Sequence, residues 1–404
     1  MERAKRSGKL MDTITDTAGR GFSEAEFAFR LEALQAAMAA GNVAITLLTT
    51  EHDIRYYSGF FTPFWQSPTR PWFLLVPAGG KPVAVIPEIG AQCMGQTWIE
   101  DIRTWPSPHP DDDGIGLLAE TISELAGAEP AIGLMKGRET WLRMPLNDFE
   151  RLQGLLPEAA WHDVTAPVQR LRAVKSEAEI GKIRRACQAA SRAFARVPEI
   201  LRPGMGAISA FRAFRIACLD DGADDVAYLT GCAAPGGYGD IISPPEDRPL
   251  APGDVLILDT GCRWDGYFCD FDRNFAVGDV PDGVRAAHDI VWQATEAGLQ
   301  AARPGITCAG LFDAMNRVLT ADNGDGEAGT VGRLGHGLGM QLTEFPSIAP
   351  FDETVLEPGM VLTLEPSLGF APGRMMVHEE NIVVREAGAE LLSVRAPQTM
   401  PVIV

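Results

Sequence analysis

The stretch ILDTGCRWDGYFCDFDR, residues 257–273, limits the fold more than any other part of the chain. Two runs of β-forming residues flank Asp265-Gly266, a strong two-residue hairpin signal because both turn positions need positive φ. With that turn, Trp264 faces Tyr267, Gly261 faces Asp270 and Asp259 faces Asp272. Side chains alternate along a strand, so Asp259, Asp270 and Asp272 share one face. A solvated acidic edge strand would also fit this pattern. The neighbouring VLIL and YFC runs are apolar, however, and they predict a buried face. Buried carboxylates without partners are costly, and three of them repel one another unless a cation lies among them. On the hairpin alone, a solvated acidic edge and a cation site both remain open.

Three later segments offer further donors. His336 lies in GHGLG, where small neighbours leave room for a ligand or substrate. Glu365 ends the apolar strand pattern PGMVLTLE before a proline, and Glu379 lies within the apolar run RMMVHEENIVV. Asp259, Asp270, His336, Glu365 and Glu379 supply oxygen and nitrogen but no thiolate, which suits Mn, Fe, Co or Zn. So many carboxylates exceed the needs of one catalytic zinc and suit two divalent metal ions sharing bridging carboxylates. The TEFP that follows His336 reads as exposed.

At 404 residues the chain is expected to form two domains. Ser23 with Glu26 and Ser176 with Glu179 each form a capping-box pattern at the head of a helix. The first helix stops at Gly41. The run VAITLLTT, two strands around Gly79-Gly80 and helices near 115–127 and 146–154 complete an α/β domain over 1–168. From 169 to 404, long helices and hairpin-linked strands predict α+β rather than a doubly wound sheet. A net charge of -19 argues against nucleic acid or an anionic membrane as partner, and no window approaches the ~20 apolar residues of a membrane-spanning helix. The opening MERAKRSGKLMDTITDTAGRG lacks the apolar stretch of a secretory signal and reads as a frayed leader. Seven scattered cysteines, an odd number without C-x-x-C, point to a reducing, cytoplasmic setting.

The order and spacing of these pieces resemble the pita-bread metallopeptidase family of methionine aminopeptidase, aminopeptidase P, prolidase and creatinase. The matching pieces are LDTGCRWDGYFCDFDR, GHGLG, PGMVLTLEPSL and EENIVV, supported by LRAVKSEAEIGKIRRA and RPLAPGDVLILDTG. The resemblance implies an α+β pita-bread catalytic domain preceded by a creatinase-type α/β amino-terminal domain, and a homodimer. It implies Asp259 on one metal, Asp270 and Glu379 bridging, and His336 with Glu365 on the second metal. It also selects Glu379 rather than Glu380, since adjacent strand residues face opposite ways and only one can be a ligand. By the same alternation His378 points away. Glu365 is the expected proton shuttle.

The chain departs from the peptidase pattern around the substrate. One family histidine is missing from LTGCAAPGGYGD, where Tyr238 stands near the expected place, and the other is replaced by Thr343. The D-x-T-R motif has become Asp270-Phe271-Asp272-Arg273, and an arginine two residues before the last ligand is Val377. Asp272, Tyr238 and Tyr228 are therefore candidates for proton transfer, and Tyr228 and Thr343 for substrate contact. In the aromatic segment SGFFTPFWQSPTRPWF, residues 58–73, Trp65 and Arg70 are candidates for a wall closing the substrate pocket, although such segments more often pack between domains or subunits. The expected reaction is metal-dependent hydrolysis of a C–N bond in a short peptide, Xaa-Pro dipeptidase or aminopeptidase-like. The alternative is a small-molecule enzyme on the same scaffold, like dimethylsulfoniopropionate lyase or creatinase.

Overall fold

The computed structural model describes residues 19–67, 70–321 and 332–404, so most of the leader reading lies outside the described residues. The chain divides into two compact units, Gly21–Arg172 and Ala173–Val404, and the second also takes in Arg20. Arg20 belongs there through its ion pair with Asp224 at 2.6 Å. The expected boundary at 168/169 falls inside the helix Thr165–Ala173, and the division comes at that helix's end.

In the unit Gly21–Arg172, the strand Ile45–Leu48 pairs antiparallel with Phe73–Pro77 and parallel with Ala131–Leu134. The sheet grows outward to six strands, ending at Asp101–Trp105 and Ala160–Asp163. Its core gathers Ile45, Leu47, Phe73, Leu75 and Val85 against Leu118 and Ile122 of the helix Ile115–Ala126. The helix Glu24–Ala40 begins as expected, with Ser23 Oγ accepting the Glu26 N–H. The reciprocal half of the box is not made, because Arg30, buried at 2% exposure, takes the Glu26 carboxylate.

The unit Ala173–Val404 is built on two largely antiparallel sheets. The long strand Asp254–Trp264 is the hub of the first and pairs with Asp225–Thr230, Ala233–Pro235, Tyr267–Phe268 and Phe271–Val277. The second runs in the order Glu344–Ser347, Gly335–Gly337, Val361–Leu364, Glu380–Arg385 and Gly388–Leu391. The helix Glu177–Ile200 opens on a complete capping box between Ser176 and Glu179. It buries Ile180, Ile183, Cys187, Ala190, Phe194 and Val197, a three-and-four spacing that aligns one apolar stripe. Full burial of each large apolar side chain contributes roughly 1.5–3 kcal/mol.

The hairpin forms in the expected register, with Trp264 opposite Tyr267 and Asp259 opposite Asp272. Asp265 and Gly266 have φ of 47° and 77°, the left-handed pair that a tight turn between right-twisted strands requires. The turn is tied to the long helix, where Lys182 pairs with Asp265 and the Tyr267 hydroxyl donates to Glu179 at 2.9 Å.

Candidate metal centre

Register places one set of side chains on the first sheet. Thr230 lies opposite Asp259, Tyr228 opposite Gly261, and Asp272 opposite Asp259 on the other side. Tyr228, Thr230, Asp259, Asp270 and Asp272 therefore share a face. On the second sheet His336 is opposite Thr363, and Thr363 opposite Asn381. Glu365 and Glu379 continue that face just past the paired ends Leu364 and Glu380.

The two faces meet. Ligand atoms of Asp270, His336 and Glu379 lie within 4.8 Å of one another, and all three residues are buried. His336 Nε2 is 3.5 Å from Asp270 Oδ2 and 3.8 Å from Glu365 Oε2. Its Nδ1 lies 2.8 Å from the Gly337 carbonyl. A proton on Nδ1 donates there, which leaves the Nε2 lone pair aimed at the acids. Burial and the Arg333 charge push the imidazole down to about 4, so it stays neutral.

Without a cation this arrangement is costly. Burial raises Asp259 to about 7, with Glu365 adding to the rise, while a hydrogen bond from Tyr228 offsets part of it. Burial likewise lifts Glu365 to about 7, and lifts Asp270 and Glu379 well above the usual carboxylate range. Asp259 Oδ1 is buried with no hydrogen-bond partner among the described residues. An unpartnered oxygen, a free imidazole nitrogen and clustered carboxylates fit a divalent metal pair, and no thiolate competes for it.

Neighbours hold these side chains in place. Thr363 Oγ1 donates to Glu379 Oε1. Asn381 grips the Asp270 backbone from both sides, accepting its N–H at 2.9 Å and donating to its carbonyl. Arg333 draws Asp270 and Glu365 part of the way back down. The sequence reading did not single out these three. Strand alternation is the signal that marks two of them, since Thr363 and Asn381 lie two residues from Glu365 and Glu379. Glu380 faces the other way, where it accepts from Arg273, Arg395, Ser393 and the Ala396 N–H. His378 also turns away, with Nδ1 3.0 Å from Thr295 Oγ1 and Nε2 accepting from Arg395 at 3.2 Å.

Several expectations change. The glycines of GHGLG do not leave room for a ligand. A Cβ on Gly335, whose φ is 140°, would lie 2.1 Å from the Thr363 carbonyl oxygen, and one on Gly337 would lie 2.3 Å from that of Phe345. The space belongs to the adjacent strands. TEFP is not an exposed surface either, because Glu344, at the head of the strand Glu344–Ser347, is 7% exposed and pairs with Lys175 at 3.2 Å. Thr343 sits half-buried just before that strand. Tyr238 is fully buried, and its hydroxyl donates to Asn274 at 2.7 Å and accepts the Val377 N–H at 3.0 Å. Those bonds make it a brace between strands rather than a group open to substrate. Trp65 and Arg70 lie in the unit Gly21–Arg172. There Trp65 is 7% exposed among Phe60 and Trp72, and Arg70 stacks over Phe64 at 5.2 Å.

Comparison with known proteins agrees with this geometry. Residues 181–386 match metallopeptidase family M24, and residues 30–174 match the creatinase/prolidase N-terminal domain. The probable dipeptidase PepE of Mycobacterium tuberculosis is 32% identical over 373 residues, covering 92% of this chain and 95% of that one. The Xaa-Pro dipeptidase of Lactobacillus delbrueckii subsp. lactis is 26% identical, covering 85% of this chain and 90% of that one. The crystal structure of dipeptidase PepE from Mycobacterium ulcerans matches with a TM-score of 0.82 at 29% identity, covering 95% of this chain and all of that one. With both domain models matched in order and a relative aligned along nearly its whole length, the chain belongs to metallopeptidase family M24 and is a metal-dependent hydrolase.

Proposed function

We propose that the protein is a dipeptidase of the Xaa-Pro type, working with two divalent metal ions. The observation that carries the reading is the convergence of Asp270, His336 and Glu379 within 4.8 Å, with Glu365 3.8 Å from His336 and Asp259 on the same strand face. Asp259, Asp270, His336, Glu365 and Glu379 would hold the metals. Bound there, the metals supply Lewis acidity, activating water near neutral pH and polarising the scissile carbonyl.

The protein's own groups do the rest. Glu365 keeps a side chain 27% exposed, against 5% for His336 and 7% for Asp270, so it is the acid able to pass a proton toward a leaving amine. Tyr228 lies on the acid face, with its hydroxyl accepting from Thr230 Oγ1 at 3.0 Å. With Tyr238 committed as a brace, Tyr228 is the tyrosine left to meet the substrate, and Thr343 is the second candidate. The five donors include four carboxylates, a set that favours manganese among Mn, Fe, Co and Zn. Free thiols at all seven cysteines support a cytoplasmic setting, and the family resemblance supports a homodimer.

The test is turnover of an Xaa-Pro dipeptide panel by protein loaded in turn with Mn, Co, Fe and Zn. Release of proline with at least one metal is expected. No cleavage across the panel by metal-loaded protein would sink the dipeptidase reading and return attention to a small-molecule substrate.

A further inference from the structure

We infer that Asp272 is an additional metal ligand, a carboxylate that joins the pair on the Asp259 side. This rests on the reading of the cluster as a metal centre and deepens it. Where the resembling motif has a threonine, this chain has an acid that is 2% exposed. Cross-strand pairing puts it directly opposite Asp259, with Cβ atoms of such pairs about 4.5–5.5 Å apart. Asp259 Oδ1 and Asp272 Oδ1 are both buried, and neither has a hydrogen-bond partner among the described residues.

The adjacent cation does not answer this need. Arg273 lies on the opposite strand face, and its guanidinium donates to the Asp272, Glu379 and Val394 carbonyls and to the Glu380 carboxylate. Two facing carboxylates with unpaired oxygens in one buried site repel strongly. A cation between them removes the repulsion and satisfies both oxygens at once. The four carboxylates Asp259, Asp270, Glu365 and Glu379 already match the charge of two divalent ions, so Asp272 makes the cage more anionic and richer in oxygen donors. Such a cage holds hard divalent ions more tightly.

The experiment titrates chelator-dialysed protein with Mn(II) and with Co(II), comparing wild type with Asp272→Asn and Asp272→Thr. Heat of binding gives stoichiometry and affinity, and the visible Co(II) absorption reports the ligand set. Wild type is expected to take two ions. In both variants one of the two should bind roughly 10- to 100-fold more weakly, with an altered Co(II) band. The metal-free Asn variant should also melt higher than metal-free wild type, because a repulsive pair is gone. If one variant fails to fold, the other carries the same readout. Two ions bound with wild-type affinity and an unchanged band in either variant would overturn the assignment. If wild type itself takes up no metal, the metal-centre reading falls with it, which separates that failure from an error about Asp272 alone.

Discussion

Thr363 shows how much a single uncharged side chain can matter here. Its hydroxyl donates to Glu379 Oε1, fixing a buried carboxylate that lies among other acids and His336. Thr363→Val keeps the shape and removes the donor. We expect metal affinity to fall roughly 10- to 100-fold, with Thr363→Ser close to wild type, as read by Mn(II) titration. The sequence made the shared acid face legible. Asp259, Asp270 and Asp272 fall on one face because strand alternation and the Asp265-Gly266 turn leave no other register. Glu379 and Glu380 were told apart by family alignment, and alternation then separated their faces. The roles of Tyr238 and Glu344 were not legible, since each is set by a distant partner. Tyr238 depends on Asn274 and Val377, and Glu344 on Lys175 far back in the chain. Nothing in the local sequence encodes those meetings.

Among the elements, the helix Asp282–Ala301 carries a titratable group of its own. His288 is 3% exposed, and burial pushes its imidazole down to about 4, with the Gln398 backbone hydrogen bond opposing the shift. The unfolded chain protonates this residue near 6.5, whereas the folded protein keeps it neutral until about pH 4. The stability it contributes is therefore whole above pH 6.5 and is lost as pH falls through that interval. Between pH 7 and pH 4.5, metal-free wild type should lose about 2–3 kcal/mol more than His288→Gln in urea unfolding. Equal losses would show that the imidazole is not held neutral. At this scale the sequence read the helices well, because caps and apolar stripes are local signals. It misread the strand Gly335–Gly337. Glycines beside a candidate ligand suggest space for a substrate, yet here they admit the backbones of two neighbouring strands. Only the assembled sheet shows which kind of room a glycine makes.

For the molecule as a whole, the buried acid cluster means that folding and metal binding are linked. Metal at one hundred times its dissociation constant adds about 2.7 kcal/mol per site. Chelation should therefore lower the melting temperature of wild type and abolish turnover, and restoring metal should reverse both. Asp270→Ala should be inactive, and its melting temperature should not respond to chelator. Full activity in that variant would overturn the site assignment. The division of the chain was read only to within a helix. The compact units part at the end of Thr165–Ala173, and Arg20 crosses to the later unit through Asp224. An ion pair between residues 20 and 224 leaves no trace in local composition.

The hairpin also bears on how the protein is made. Asp259, Asp270 and Asp272 leave the ribosome together, and His336, Glu365 and Glu379 follow much later. While the hairpin stands alone its acids are hydrated, and water weakens their repulsion. The cost arrives when the second sheet closes over them. An ion captured by the nascent hairpin would gain its remaining donors only when the second sheet arrives. The 27% exposure left to the Glu365 side chain marks the side from which an ion or a substrate still reaches the finished centre.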